Sequence, residues 1–442
     1  MICLKAERKQ RQEMRLLEKI LEDENIHQAF KRVYANKGAS GVDSVSVFEL
    51  EEYLKQNWTS IKREIQVRAY KPQPVRRVEI PKPNGGVRKL GIPTVIDRVI
   101  EQAITQVLSP IWEPLFSDQS YGFRPGRCCQ NAIVKVTEYL NSGFEWIVDI
   151  DLAKFFDSVP QDKLMSYIHE VIDDSDTESL IRKYLKAGVM IGEKYEETRM
   201  GTPQGGNLSP LLSNIILDKL DKELEFRGLH FTRYADDCII AVKSRASANR
   251  VMNSITIWIE KKLGLKVNVT KTHITAPTKL KYLGFSFWKD FKTKEWKPRP
   301  HKSSIEKFKH KLKVLCCRKW SVGLTYRIKK LNEAIRGWIN YYSIGTMKSY
   351  MSIIDSHLRT MIKIVIWKQW KLPSKRQRGL QKLGIEKDLA RLTSYCGDRY
   401  QFVATKTCVS RAISKKILTR RGLVSCLDYY LAAYNSKQCR TA

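Results

Sequence analysis

The sequence predicts a mixed α/β (α+β) domain with a central antiparallel sheet, followed by an all-helical, strongly basic region. Three observations predict it. Between residues 145 and 287 short apolar strands alternate with amphipathic helices around one hairpin-like stretch, HFTRYADDCIIAVK (230–243). Beyond about residue 297 the pattern is helical almost throughout. Charge divides the same way: residues 1–290 hold 44 basic and 38 acidic side chains and residues 291–442 hold 35 and 8, so +27 of the net +33 lies in the last third.

Taken in order, residues 1–35 read as two amphipathic helices. NKGASGVDSVSVFELEEYL (36–54) is a Gly/Ser turn entering a helix, with Asp43 or Ser44 as its cap. Residues 70–93, with KPQP, IPKPNGG and GIP, read as short strands joined by turns. A helical pattern runs from Asp97 to about Leu115. EWIVDID (145–151) is a strand, PQDKLMSYIHEVI (160–172) a helix and LSPLLSNIILDKLDKELEF (208–226) a longer helix. HFTRYADDCIIAVK reads as two strands around a tight acidic turn, ASANRVMNSITIWIEKKLG (246–264) as a helix and KYLGFSF (281–287) as a strand. Helices are expected at 303–319, 325–343 and 347–370, then a Pro/basic break, LPSKRQRG (372–379), and a basic segment of about 60 residues.

Bulk properties narrow the function. A hydrophobic content of 43% over 442 residues is that of a folded protein with a sizeable core. A net charge of +33 repels itself and calls for a polyanionic partner, with nucleic acid the first candidate. No apolar run approaches the roughly 18 residues needed to span a membrane, and MICLKAERKQRQEMRLLEKI is charged throughout, unlike a signal peptide. The ten cysteines form no CxxC pair, so reduced thiols in a cytoplasmic protein are expected rather than a zinc site.

The sharpest chemical signal is Tyr234-Ala235-Asp236-Asp237, two carboxylates at a turn between apolar strands. Two acids at a hairpin tip repel each other unless cations bind there. About 80 residues earlier stands Val148-Asp149-Ile150-Asp151, whose two acids share one strand face. If the strands are neighbours, three carboxylates converge and can seat two Mg²⁺ ions; Mn²⁺ can substitute. No histidine belongs to this cluster, which argues against zinc or non-haem iron.

These residues resemble the reverse transcriptases, and the YADD tetrad is similar to their catalytic hairpin. DLAKFFDSV (151–159) resembles their first carboxylate motif. The resemblance implies that Asp151, Asp236 and Asp237 are the catalytic metal ligands, helped by the backbone of Ile150 or Leu152, with Asp149 the runner-up. It implies that Ala153, Lys154, Phe155 and Phe156 line the nucleotide site, and that Phe155 or Phe156 blocks a ribose 2′-hydroxyl while the other packs in the core. GTPQGGNLSPLLSN (201–214) resembles the segment that meets nucleotide and template. Pro203, Gln204, Gly205 and Gly206 would be its contacts, the glycines permitting close backbone approach.

RRVEIPKPNGGVRKLGIPTVIDRVIEQ (76–102) resembles the fingers of the group II intron branch, with Lys82 and Arg88 placed to clamp a triphosphate. SYGFRPGRC (120–128) supplies Tyr121, Arg124 and Arg127 for template contact, beside Tyr234 of the hairpin. Lys271 of NVTKTHI (268–274) is expected near the triphosphate or, equally, at a strand edge. KYLGFSF resembles the primer grip, with Leu283, Gly284 and Phe285 as contacts or as sheet core. NEAIRGWINYYSIG (332–345) resembles the maturase thumb. There Arg336, Trp338, Tyr341 and Tyr342 suit RNA contact, although the helical spacing of the aromatics equally suits a core stripe. The basic tail adds Arg376, Arg378, Arg420 and Arg421.

Together the motifs are similar to those of a group II intron-encoded reverse transcriptase and maturase of the bacterial class C type. That resemblance implies a right-hand polymerase fold: an N-terminal extension (1–75), fingers and palm (76–296), a helical thumb or maturase region (297–370) and a basic C-terminal region (371–442). No CxxC pair or HNH-like run follows residue 370, so no endonuclease is expected. The implied activity is Mg²⁺-dependent synthesis of DNA from dNTPs on an RNA template with a DNA primer. The implied partners are intron RNA and target DNA, in a bacterial cytoplasmic ribonucleoprotein and not at a membrane. Two alternatives stand beside it: a domesticated, defence-linked or diversity-generating reverse transcriptase, and a non-enzymatic RNA-binding maturase. The latter predicts a damaged acid set, whereas all three acids are present.

Overall fold

A computed structural model describes residues 15–81, 85–202 and 205–441. The chain forms two compact units, one ending at Ala276 and the other beginning at Pro277.

The first unit runs α1 (Leu16–Ile20), α2 (Asp23–Asn36), α3 (Leu50–Gln66), β1 (Val75–Pro81), β2 (Val87–Ile92), α4 (Val95–Trp112), α5 (Cys129–Asn141), β3 (Trp146–Ile150), α6 (Phe155–Ser158), α7 (Gln161–His169), α8 (Ser175–Leu185), β4 (Val189–Ile191), β5 (Lys194–Glu196), α9 (Ser209–Phe226), β6 (His230–Tyr234), β7 (Asp237–Val242), α10 (Arg245–Trp258), a π-helical turn (Ile259–Leu263) and β8 (His273–Thr275). Two helices are apolar on several sides and form its centre. Helix α4 starts where Thr94 Oγ1 accepts the Asp97 amide at 3.1 Å, and it buries Val99, Ile100, Ala103, Ile104 and Leu108. Helix α9 carries Pro210 in its first turn, where the missing N–H is harmless, and buries Leu212, Ile216, Leu217, Leu220 and Leu224.

A four-stranded sheet of order β6-β7-β3-β8, antiparallel throughout, lies on this core. Alternation of side chains divides its faces. Val148, Ile150, Phe231, Cys238, Ile240 and Val242 join the main core with the α9 residues. Asp149, paired with Ile239 and His273, belongs to the other face. Helix α5 packs against β6 and β7. A second sheet has the order β2-β1-β4-β5, with β1 antiparallel to β2 and parallel to β4.

The second unit runs β9 (Phe285–Lys289), β10 (Trp296–Pro300), α11 (Lys302–Leu315), α12 (Leu324–Tyr342), α13 (Lys348–Gln369), α14 (Pro373–Lys382), α15 (Lys387–Ser394), α16 (Tyr400–Thr405), α17 (Thr407–Ala412), α18 (Lys415–Arg420) and α19 (Cys426–Thr441). Helix α13 is its spine, packing against α11, α16 and α19. It buries Met351, Ile354, Leu358, Ile362 and Val365 at helical spacing. Its one buried acid, Asp355, accepts the Cys426 and Leu427 amides at 2.7 and 3.0 Å, supplying negative charge to the start of α19.

Several local expectations are corrected. Helix α3 begins at Leu50 and neither Asp43 nor Ser44 caps it: Ser44 takes φ 59°, and the Glu49 carboxylate instead accepts the Ser46 amide at 2.7 Å. In KYLGFSF the strand begins only at Phe285, because Leu283 and Gly284 turn the chain with φ of 49° and 81°. The break expected at LPSKRQRG is confined to the residues up to Leu372, after α13 ends at Gln369. Pro373 opens α14, and the Lys, Arg and Gln that follow are good helix formers. The helix expected to reach 319 ends at Leu315. The unit boundary at Ala276 groups β9 and β10 with the basic helices. The eight described cysteines are free thiols, and no helix among the described residues is long and apolar enough to cross a membrane.

Candidate active site: an acidic turn beside a strand end

Strands β6 and β7 are joined by two residues, Ala235 and Asp236, with Tyr234 opposite Asp237. Ala235 holds φ 56°, a left-handed conformation that costs an L-residue steric energy. Strand β3 lies beside β7 with Ile150 opposite Cys238. Continued by one residue, that register sets Asp151 opposite Asp237. Asp149 is two residues back on the same face. Antiparallel pairing thus brings together acids about 85 positions apart in the chain.

Burial and neighbouring charge act on the carboxylates of the turn and of β3. Asp237 is pushed up to about 6 by burial of its surroundings and by the charges of Asp236, Asp149 and Asp151, against which Lys271 acts. Asp149 is also pushed up to about 6, mainly by burial, with Asp151 adding to it and His273 opposing. Asp236 is raised by burial and by Asp151, while Arg88 and Arg233 pull it down. Asp151 pairs with the Lys271 ammonium at 3.0 Å, and Asn268 Nδ2 donates to it at 3.4 Å. Among the described residues no three acidic, histidine or cysteine side chains are drawn close enough together to hold a metal ion as they stand. An all-oxygen set with excess negative charge fits divalent cations, which supply the missing positive charge.

The remaining expected residues fall into distinct groups. Lys82, Pro203 and Gln204 lie outside the described residues. Gly205 is exposed with φ 124°, and a side chain there would strike the Gly91 carbonyl. Gly206 is packed against Glu101, which holds the turn by accepting the Asn207 amide at 2.5 Å. Lys154, at φ 48°, is exposed; Phe155 is buried in the core; Phe156 is half-buried beside it in edge-to-face contact at 5.2 Å. Phe156 and Lys154 border a polar cleft with Arg77, Lys89, Asp157 and Arg199. Ala153 donates its amide to the Lys266 carbonyl at 2.8 Å, and Leu152 bridges to Val267. Arg88 is exposed on β2.

Four arginine and aromatic assignments change character. Arg124 is buried, bidentate on Glu113 and bonded to the Ser120 carbonyl, so its guanidinium holds a loop and is not free for template phosphate. Arg376 is buried over the Trp367 ring at 4.9 Å and paired with Asp398 at 2.9 Å, which removes it from the RNA-contact set. Trp338 stacks on Phe308 at 4.5 Å and Tyr342 is buried beside both, so the core-stripe reading holds for these two. Tyr341 is partly open, with its hydroxyl on the Leu283 carbonyl at 2.9 Å. Phe285 is buried against Tyr341 and Tyr342. Tyr121 is largely buried under Arg127, whose guanidinium pairs with Asp118 at 2.7 Å. Arg336, Arg378, Arg420 and Arg421 are exposed.

Sequence reasoning missed residues that shape the turn from behind. Gly122 presses on it so closely that a Cβ would lie 2.3 Å from the Ala235 nitrogen. Arg233, fully buried, donates to the Ala235 carbonyl at 3.0 Å. The available signal was a cation in the inward-facing register of an apolar strand.

Residues 80–287 match the family described as reverse transcriptase (RNA-dependent DNA polymerase), and residues 305–384 match the group II intron maturase-specific domain. The chain is 32% identical over 341 positions to the group II intron-encoded protein LtrA of Lactococcus lactis subsp. cremoris, covering 61% of this chain and 56% of that one. It is 32% identical over 300 positions to protein YkfC of Escherichia coli K12, covering 59% of this chain and 79% of that one. It is 27% identical over 398 positions to the putative COX1/OXI3 intron 2 protein of Saccharomyces cerevisiae, covering 76% of this chain and 45% of that one. The chain therefore spans about half the length of LtrA and of the yeast intron protein. The first match contains the sheet β6-β7-β3-β8 with its acidic turn, and the fold is the right-hand polymerase with mixed α/β content. With a maturase-specific segment following in the basic helices, this chain belongs to the family of group II intron-encoded reverse transcriptases and maturases.

Proposed function

We propose that the chain copies RNA into DNA, extending a DNA primer with dNTPs, and that its basic helices bind intron RNA as a splicing partner. The observation that supports the first part is the strand register, which carries Asp151 towards Asp237 beside Asp236 of the turn, with Asp237 pushed up to about 6 by burial and by the neighbouring carboxylates. In the reaction the primer 3′-oxygen bonds to the α-phosphorus of a dNTP, its proton is lost, and pyrophosphate leaves with the electrons of the broken P–O bond. Asp151, Asp236 and Asp237 would hold two Mg²⁺ ions, which supply charge stabilisation at the attacking and leaving oxygens. Lys271, 64% exposed and paired with Asp151 at 3.0 Å, would exchange that partner for a triphosphate, and Arg88 reaches the same space from β2. Exposed Gly205 leaves the backbone bare where nucleotide and template approach, while Gly206 lets the turn pack on Glu101. One ring of Phe155 and Phe156 excludes the ribose 2′-hydroxyl.

The maturase part rests on the exposed Arg336, Arg378, Arg420 and Arg421 in a region of net charge +27. Phosphate contacts of this kind make binding steeply salt-dependent, and folded RNA is read mostly by shape. We place the protein in the bacterial cytoplasm as a ribonucleoprotein, with target DNA as a further partner.

Primer extension tests the polymerase. Purified protein with poly(rA)/oligo(dT), dTTP and Mg²⁺ should lengthen the primer, and Asp236→Ala should abolish this while leaving RNA binding intact. Primer extension by the Asp236→Ala protein would remove the acidic turn from the mechanism.

A further inference from the structure

The strand before the acidic turn breaks its own pattern. In β6 the inward positions are Phe231 and Arg233, so a guanidinium enters a face otherwise built of Val148, Ile150, Cys238 and Ile240. Arg233 and Asp221 are each almost wholly removed from solvent, and so is Asn214. A buried cation needs a reason, since an apolar pair of similar volume packs there at least as well.

Its partners show what it holds. Arg233 Nε donates to Asp221 at 2.7 and 3.0 Å, and Nη2 donates to the same carboxylate. Asp221 and Asn214 are seven residues apart on α9, hence on one helix face. Arg233 Nη1 reaches the Asn214 amide oxygen at 3.0 Å and, at the same distance, the carbonyl of Ala235. Asn214 Nδ2 in turn donates to the Gly122 carbonyl at 2.9 Å. The main chain of Arg233 is tied as well: its amide donates to Gln119, and its carbonyl accepts from Tyr121 at 2.8 Å. One planar fork therefore spans a rigid helix and the first residue of the turn, and that residue holds φ 56° without being glycine. Such a conformation persists only where its surroundings over-determine it.

We propose that Arg233, anchored by Asp221 and steadied by Asn214, is a positioning residue that fixes the Ala235–Asp236 turn and thereby the directions of Asp236 and Asp237. Its effect on catalysis rests on the polymerase reading above; its effect on the turn does not.

The test replaces the pair without leaving a buried charge: Arg233→Met with Asp221→Leu. Thermal unfolding checks that this protein folds. Hydrogen exchange of the amides at 234–237 should speed up at least about tenfold, with the β3 and β7 core amides unchanged. The kcat for primer extension should fall about 100-fold, while KM for dTTP stays within a few-fold. Arg233→Lys keeps the charge on Asp221 but lacks the fork that reaches Ala235, so it should show the same local exchange and a smaller fall in kcat. If the double variant does not fold, Arg233→Lys decides alone. Wild-type exchange at the turn and wild-type kcat in either folded variant overturn the proposal. If the unaltered protein extends no primer, the polymerase reading fails, and the exchange comparison still decides whether Arg233 holds the turn.

Discussion

Gly122→Ala is the most economical perturbation of the acidic turn, because it adds one methyl group and removes no interaction. Gly122 sits in ordinary negative-φ backbone, so alanine costs nothing there by conformation; the cost is contact. The new Cβ would stand 2.3 Å from the Ala235 nitrogen, 3.0 Å from the Tyr234 carbonyl carbon and 3.1 Å from the Ala235 Cα. Ordinary contact begins at 3.4 Å, so turn and loop must separate by about 1 Å. Neither side yields cheaply. The loop is bonded to β6 through Tyr121 and Gln119, and the turn is held by Arg233. Overpacking of this kind costs about 1–3 kcal/mol of stability. Displacing Asp236 and Asp237 by about 1 Å is expected to cost on the order of 100-fold in rate, or about 2.7 kcal/mol of transition-state stabilisation. Steady-state primer extension measures kcat and KM for dTTP, with thermal unfolding and primer–template binding as companions. The expected result is a fall in kcat with template affinity kept. A variant that folds less stably yet polymerises at the original rate refutes the reasoning, since the turn would then tolerate displacement.

Three further outcomes follow from the structure. Glu101 is fully buried and pushed up to about 8 by burial and by Asp97, so its folded pKa lies above the unfolded 4.5. Its neutral form favours the fold; the contribution is complete below pH 4.5 and is lost as pH rises through 8. Glu101→Gln should therefore flatten the decline of stability over that window, by roughly 5 kcal/mol at most, and a melting-temperature profile against pH that matches the unaltered protein would contradict this. Reversing the exposed Arg378, Arg420 and Arg421 to Glu should weaken RNA binding and reduce its slope against log salt by about 2, read by filter binding across a salt series; an unchanged slope removes these residues from the interface. Arg376→Ala should instead lower the melting point by an amount equivalent to about 1–3 kcal/mol with that slope intact, because the buried guanidinium serves Gly397, Asp398 and Trp367.

Local chemistry was legible in the chain. The alternation of VDID marked a strand whose acids share a face, and YADD between apolar runs marked the turn. The charge division marked the basic helical region, and helical spacing located α9, α12 and α13 to within a few residues. Period and charge are properties of neighbours in sequence, so they survive without coordinates. Pairing register is not such a property. Only the folded sheet sets Asp151 opposite Asp237, and only the fold shows Lys271 already at Asp151. Burial is likewise a tertiary quantity: the sequence cannot distinguish Arg376, enclosed over a tryptophan, from Arg378, open to solvent two residues later. Nor could it show that Gly122 presses on the same turn that Arg233 holds, because the Gly122 contact joins segments more than 100 residues apart. The amino-acid order determined which groups carry the chemistry; tertiary packing decided which are positioned to use it, since distance and desolvation belong to the folded chain.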